Sequence, residues 1–174
     1  MISLIDIKRF FKGRIRLGEP VAPLTTLRIG GPADYLLEPV NESEQLELLR
    51  YLDEVGFPYA IIEPEMLVHD AGFRGVMINA GLGSVHASEQ KVEMFRPAAG
   101  ISVEELIRRI DMDGRTWGDA VVDGRFIRNG GNARAVDVLA LVTHVQRTVL
   151  RITGLHLPIG FPVVGFREHV AKVA

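Results

Sequence analysis

The sequence predicts an α/β (α+β) protein made of two successive units, a small N-terminal βαββ unit and a second α+β unit. Short apolar runs closed by Gly and Pro alternate with amphipathic segments of helical period, a pattern of mixed helix and sheet. A polar stretch over 84–90 interrupts that alternation once near the middle, which sets the units at 1–86 and 87–174. The chain has 174 residues, 47% of them hydrophobic. At that size roughly 70% of the surface of the unfolded chain is hidden on folding, so no metal or disulfide staple is required.

In the first unit, Ala33–Glu38 (ADYLLE) is a short apolar run between Gly30-Gly31-Pro32 and Pro39, as expected of a strand between turns. Asn41 and Ser43 offer N-caps with acids in the first turn. Leu46, Leu49, Leu52 and Val55 then recur at helical spacing until Gly56, which predicts a helix of about three turns. Tyr59–Ile62 and Gly75–Asn79 complete the βαββ order, with a turn-rich HDAGFRG segment between them.

The second unit opens with Lys91–Phe95, where alternation puts Val92 and Met94 on one face of a strand. Ser102-Val-Glu-Glu105 is a capping box ahead of Leu106, Ile107 and Ile110. Gly118–Ile127 reads as a hairpin around Asp123-Gly124. The longest periodic segment is Ala133–Thr153, with an apolar stripe at Val138, Leu141, Val142, Val145, Val149 and Ile152, an N-cap at Asn132 and a stop at Gly154. A last strand is expected over Pro162–Phe166.

Composition removes several classes of chemistry. No cysteine is present, so thiolate zinc sites, iron–sulfur ligation, disulfides and a cysteine nucleophile are excluded. Twenty Lys and Arg against 22 Asp and Glu give a net charge of −2, which argues against nucleic acid or an anionic membrane as partner. The N-terminal MISLIDIKRFFKGR has its bases after its apolar residues and no cleavage site, and no apolar run approaches the roughly 20 residues of a spanning helix. A cytoplasmic protein is expected. His69, His86, His144, His156 and His169 are too scattered for a helical metal pair, and no metal site is expected.

Three glycine-rich places could approach a phosphate: Arg28-Ile-Gly30-Gly31-Pro32, Gly72-Phe-Arg-Gly75 and Asn129-Gly130-Gly-Asn132 ahead of the long helix. Backbone amides at a helix start favour the third of these, although a cap at Asn132 and turns at the glycines are the commoner use of such residues. Glu104-Glu105, Asp111 and Asp113 read as solvated charges.

The segment Leu24-Thr-Thr-Leu-Arg-Ile-Gly-Gly-Pro-Ala-Asp-Tyr-Leu36 resembles the N-terminal signature of the UDP-N-acetylenolpyruvoylglucosamine reductase (MurB) family. The likeness continues through the helix from Glu42 to Gly56 and through Leu67–Gly75. It returns at Trp117–Val122, Phe126–Asn129, Ala135–Gln146 and Pro162–Phe166, which resemble the family's C-terminal, substrate-binding domain. The resemblance implies a remnant of an FAD-binding type-2-like domain in 1–86 and a C-terminal-domain-like unit in 87–174, with the family's middle FAD-binding domain absent between them.

The resemblance also implies loss of chemistry. The family's Gly-rich pyrophosphate loop corresponds to Glu63-Pro-Glu65, whose carboxylates and proline oppose FAD. Its proton donor corresponds to Glu93, an adjacent substrate-holding asparagine to Pro97, and its C-terminal glutamate to Gly160. These losses imply a non-catalytic binding, regulatory or scaffold protein linked to peptidoglycan synthesis, with no FAD. The expected partner is a second copy or another protein on the surface left by the missing domain. The alternatives are a UDP-sugar or nucleotide-binding module using Arg28, Gly30, Gly31, Arg96, Asn129 and Gly130, and an FAD-dependent UDP-N-acetylmuramate dehydrogenase.

Overall fold

The computed structural model describes residues 2–81, 90–96, 100 and 102–166. The unit boundary at 86/87, Pro97, His86 and His169 lie outside the described residues.

A short helix, α1 (Leu4–Phe10), is capped by Ser3, whose hydroxyl accepts from the Asp6 N–H at 3.3 Å. Strand β1 (Arg14–Pro20) follows, then a 3-10 turn at Ala22–Leu24 and β2 (Pro32–Glu38). Neither α1 nor β1 is expected from the sequence. α1 buries only Ile7, and β1 is a half-charged edge strand whose Leu17 faces solvent, so neither shows a clean period.

Helix α2 (Glu42–Glu54) starts at the expected cap, with Asn41 Oδ1 accepting from the Glu44 N–H at 2.9 Å. Its buried face differs from the expected stripe. Leu48 and Leu52 enter the core, whereas Leu46 and Val55 stay exposed. The helix is turned because Glu44 is itself buried, its carboxylate accepting from the N–H groups of Val40 (2.7 Å) and Lys12. Those bonds tie the chain before α2 to the turn before β1, and a carboxylate in the first turn also favours the helix dipole.

Strands β3 (Tyr59–Ile61), β4 (Leu67–Val68) and β5 (Phe73–Ile78) complete the first half. The sheet order is β1-β2-β5-β3, antiparallel at β1/β2 and parallel elsewhere. Ile7, Leu37, Leu48, Leu52, Val76 and Ile78 fill one face under the helices. Val21, Leu36, Ile62, Met66, Val68 and Met77 fill the other.

The second half holds β6 (Lys91–Glu93), α3 (Val103–Arg109), β7 (Thr116–Trp117), β8 (Ala120–Asp123), β9 (Phe126–Asn129), α4 (Ala135–Thr153) and β10 (Val163–Val164). Its sheet runs β6-β9-β8-β7, antiparallel throughout, with α4 packed on it. The Ser102 cap forms as expected, its Oγ accepting from Glu105 N–H at 3.2 Å. Gly154, at φ +73°, closes α4. Of the expected α4 stripe all but Ile152 are buried.

The halves are stitched together in four ways. Leu27, Ile29 and Leu67 enter the core formed by α3, α4 and the second sheet. Strand β10 leaves the second half to pair in parallel with β4. Asn129 Nδ2 donates to the Leu27 carbonyl at 2.8 Å. Asp70 caps α4, accepting from the N–H groups of Ala135 (2.8 Å) and Val136 (3.2 Å). The last point corrects the expected cap: Asn132 lies before the helix, Arg134 holds the N-cap position without a side-chain bond, and the capping group comes from the other half.

Candidate ligand cleft

A cavity of about 330 Å³ opens where the loop before β4 meets the β6–β9 edge of the second sheet. Glu65 comes from the first half; Glu93, Arg96, Arg125, Phe126 and Gly160 come from the second. The structure thus gathers Glu93, Gly160, the Arg96 candidate and one carboxylate of the Glu63-Pro-Glu65 loop.

Local backbone pairing explains the grouping. The Gly160 N–H donates to Met94 O at 2.8 Å, the Arg96 N–H donates to Pro158 O at 2.9 Å, and Phe95 forms an antiparallel bridge with Ile159. Segment 158–160 is therefore laid directly on 94–96. A Cβ at Gly160 would stand 2.7 Å from Glu93 O and 3.1 Å from the Phe95 carbonyl carbon, so the backbone path itself excludes a glutamate side chain here. Glu93 pairs with Arg125 at 3.1 Å.

Sequence reasoning missed Lys91, Arg125 and Phe126. Lys91 Nζ and Arg125 Cζ sit 4.9 and 5.0 Å from the Phe126 ring centroid. Their signal was available only through register: β6 pairs Glu93 with Phe126, and the two-residue turn Gly124-Arg125 delivers Arg125 to the same end.

The other candidates lie elsewhere. Gly30 and Gly31 cross the segment 68–72 so closely that a Cβ on Gly31 would fall on the Asp70 carbonyl, and the Gly31 N–H donates to His69 O at 3.0 Å. Arg28 is exposed at φ +57° on the turn before them. Asn129 is buried, its Oδ1 accepting from Gly131 N–H (2.9 Å) and Ala133 N–H (3.0 Å). The Gly130 N–H donates to Asp119 O at 2.7 Å and the Asn132 N–H to Asp119 Oδ2 at 3.0 Å. With Asp70 on Ala135 and Val136, the α4 start already holds an anion of its own. Glu104 and Asp111 pair on the surface with Arg108 and Arg115. Among the described residues no group of three His, Asp or Glu could hold a metal ion, and no helix is long and apolar enough to cross a membrane.

Residues 82–160 match the family described as UDP-N-acetylenolpyruvoylglucosamine reductase, C-terminal domain. A UDP-N-acetylenolpyruvoylglucosamine reductase of Nitrobacter hamburgensis is 31% identical over 151 residues, 82% of this chain and 50% of that protein. One from Levilactobacillus brevis is 27% identical over 92% of this chain and 56% of that protein, and one from Geotalea uraniireducens is 34% identical over 60% and 35%. The chain thus spans about half or less of the curated relatives it matches. The crystal structure of UDP-N-acetylenolpyruvylglucosamine reductase (MurB) from Thermus caldophilus shares the fold, with a TM-score of 0.61 at 18% identity over 88% of this chain and 99% of that one. The chain is accordingly related to the UDP-N-acetylenolpyruvoylglucosamine reductases, and its residues 82–160 match their C-terminal domain.

Proposed function

We propose that this relative is non-catalytic and serves as a binding, regulatory or scaffold element in peptidoglycan and cell-envelope synthesis, in the cytoplasm and without FAD. The observation that carries the proposal is the cleft itself. At the two positions that the resemblance assigns to the family's proton donor and glutamate stand a carboxylate paired with Arg125 and a glycine whose Cβ would meet the backbone of Glu93 and Phe95. General acid catalysis needs a side chain free to reach the substrate; Glu93 is engaged by Arg125 and Gly160 has no side chain.

The fit to a flavin dinucleotide is poor as well. The loop aligned with the pyrophosphate site presents Glu63 and Glu65, Pro64 has no N–H, and the Met66 N–H is turned inward to Glu63 O at 3.1 Å. Only residues 79–90 lie between β5 and β6, too few for a middle domain. In this reading a protein partner takes the face bordered by Gly81 and Gln90, where that domain would have been inserted.

A second reading, a UDP-sugar or nucleotide module, draws on Lys91, Arg96 and Arg125 around Phe126, since guanidinium groups suit phosphate and an aromatic face suits a base. An FAD-dependent UDP-N-acetylmuramate dehydrogenase has the least support. Calorimetric titration of the full chain with FAD, UDP and UDP-N-acetylglucosamine separates the three. The proposal expects no heat with any of them. Heat with the UDP compounds that Arg96→Ala abolishes selects the second reading, and stoichiometric FAD binding overturns the first.

A further inference from the structure

A mostly apolar groove of about 460 Å³ lies along the outer face of α4, lined by Val136, Leu139 and Ala140 of the helix, by Trp117 of β7 and by Phe166 after β10. Trp117 is 51% exposed and is the single tryptophan of the chain. Ile5, Leu17, Val40 and Val55, by contrast, are exposed on separate elements, as isolated surface residues commonly are. The groove differs because the outer stripe of α4 continues it: Leu150 follows at helical spacing and is 44% exposed. From Val136 to Leu150 the stripe spans about 21 Å at a rise of about 1.5 Å per residue, the footprint of another helix rather than of a small ligand.

The charges on that face are basic. Arg147 lines the groove and Arg151 follows one turn on, both exposed and neither in an ion pair among the described residues. His144, also exposed, stands beside Trp117 with 6.5 Å between ring centroids. The one carboxylate of α4, Asp137, has a side chain only 15% exposed and already held by Arg134 (3.0 and 3.2 Å). An apolar stripe with unanswered arginines along it fits a partner that brings apolar side chains at helical spacing and carboxylates beside them. A second copy does not bring one, because α2, the acidic helix of this chain, keeps Leu48 and Leu52 in its own core.

We infer that the outer face of α4 docks an acidic amphipathic helix of another protein, its apolar residues against Trp117 and Leu150 and its carboxylates on Arg147 and Arg151. Strand β7 is the opposite sheet edge from β6, so this surface is separate from the ligand cleft and the inference does not depend on the loss of catalysis.

Trp117 makes the test direct, because no other tryptophan contributes to the emission of the full chain. The probe is a synthetic, tryptophan-free helical peptide of about 15 residues, with Leu at i, i+3, i+4 and i+7 and Glu on both flanks. The expected result is saturable binding with a blue shift of Trp117. Arg147→Glu combined with Arg151→Glu weakens it about tenfold or more, raised salt weakens it too, and so does Leu150→Ala. Circular dichroism confirms that each variant is folded. The same peptide with Lys in place of Glu is expected not to bind. The inference is overturned by no shift at about millimolar peptide, by equal affinity for the Lys and Glu peptides, or by a shift with phosphatidylglycerol vesicles and none with the peptide. Binding only after residues 167–174 are deleted also overturns it, since the chain's own tail is then the occupant.

Discussion

The carboxylate of Asp70, on the loop after β4, accepts the N–H of Ala135 at 2.8 Å and so caps a helix 65 residues away in the other half of the chain. The same group takes the Val136 N–H at 3.2 Å. Helix starts leave N–H donors unsatisfied, and a negative charge there also meets the positive end of the dipole. Replacing Asp70 by Ala is therefore predicted to lower stability by about 1 kcal/mol, up to about 2 kcal/mol. Asp70→Asn keeps the acceptor and recovers most of it. Urea unfolding of the two variants checks the order.

Asn129 joins the halves from the other side through Leu27 O, Gly131 N–H and Ala133 N–H. Truncation strands a buried carbonyl and two amides. Asn129→Ala is predicted to cost about 1 to 3 kcal/mol, more than the Asp70 variant, because the site is buried. Chemical denaturation measures both on one scale, and a smaller loss at Asn129 than at Asp70 contradicts the ranking.

The close crossing at Gly160 gives a third test. Gly160→Ala must push the backbone of Glu93 or Phe95 and is predicted to destabilise by about 1 to 3 kcal/mol. Glu93→Gln, by contrast, breaks a half-exposed ion pair and is predicted to change stability by less than about 1 kcal/mol. Thermal unfolding of the pair of variants reads the difference.

Arg134 donates to both oxygens of Asp137 and holds that carboxyl below its ordinary range. The folded chain then binds this proton less readily than the unfolded one. The contribution of Asp137 is in place above the ordinary carboxylate range and disappears as pH falls through the lowered value. Asp137→Asn is predicted to flatten the acid limb of a stability–pH profile while leaving its neutral-to-alkaline part parallel to wild type.

Much of the fold was legible where periodicity was strong. Helix α4, the Ser102 cap and strands β2 and β5 follow directly from apolar spacing and turn residues. What escaped was set by partners distant in sequence. Strand β1 exists because β2 pairs with it, α2 is turned by the buried Glu44, and the cap of α4 is Asp70 rather than the adjacent Asn132. The cleft was half legible: Glu93 and Gly160 were singled out by resemblance and Arg96 as a side chain suited to phosphate, whereas Arg125 and Phe126 reach it only through hairpin register.

The central proposal is that this relative of the UDP-N-acetylenolpyruvoylglucosamine reductases holds no flavin and reduces nothing. An absorption spectrum of the purified full chain, taken before and after incubation with FAD and desalting, tests it most directly when followed by NADPH addition with UDP-N-acetylenolpyruvoylglucosamine. The account predicts a colourless protein and no loss of NADPH beyond the buffer rate. A retained yellow chromophore with substrate-dependent NADPH oxidation contradicts it.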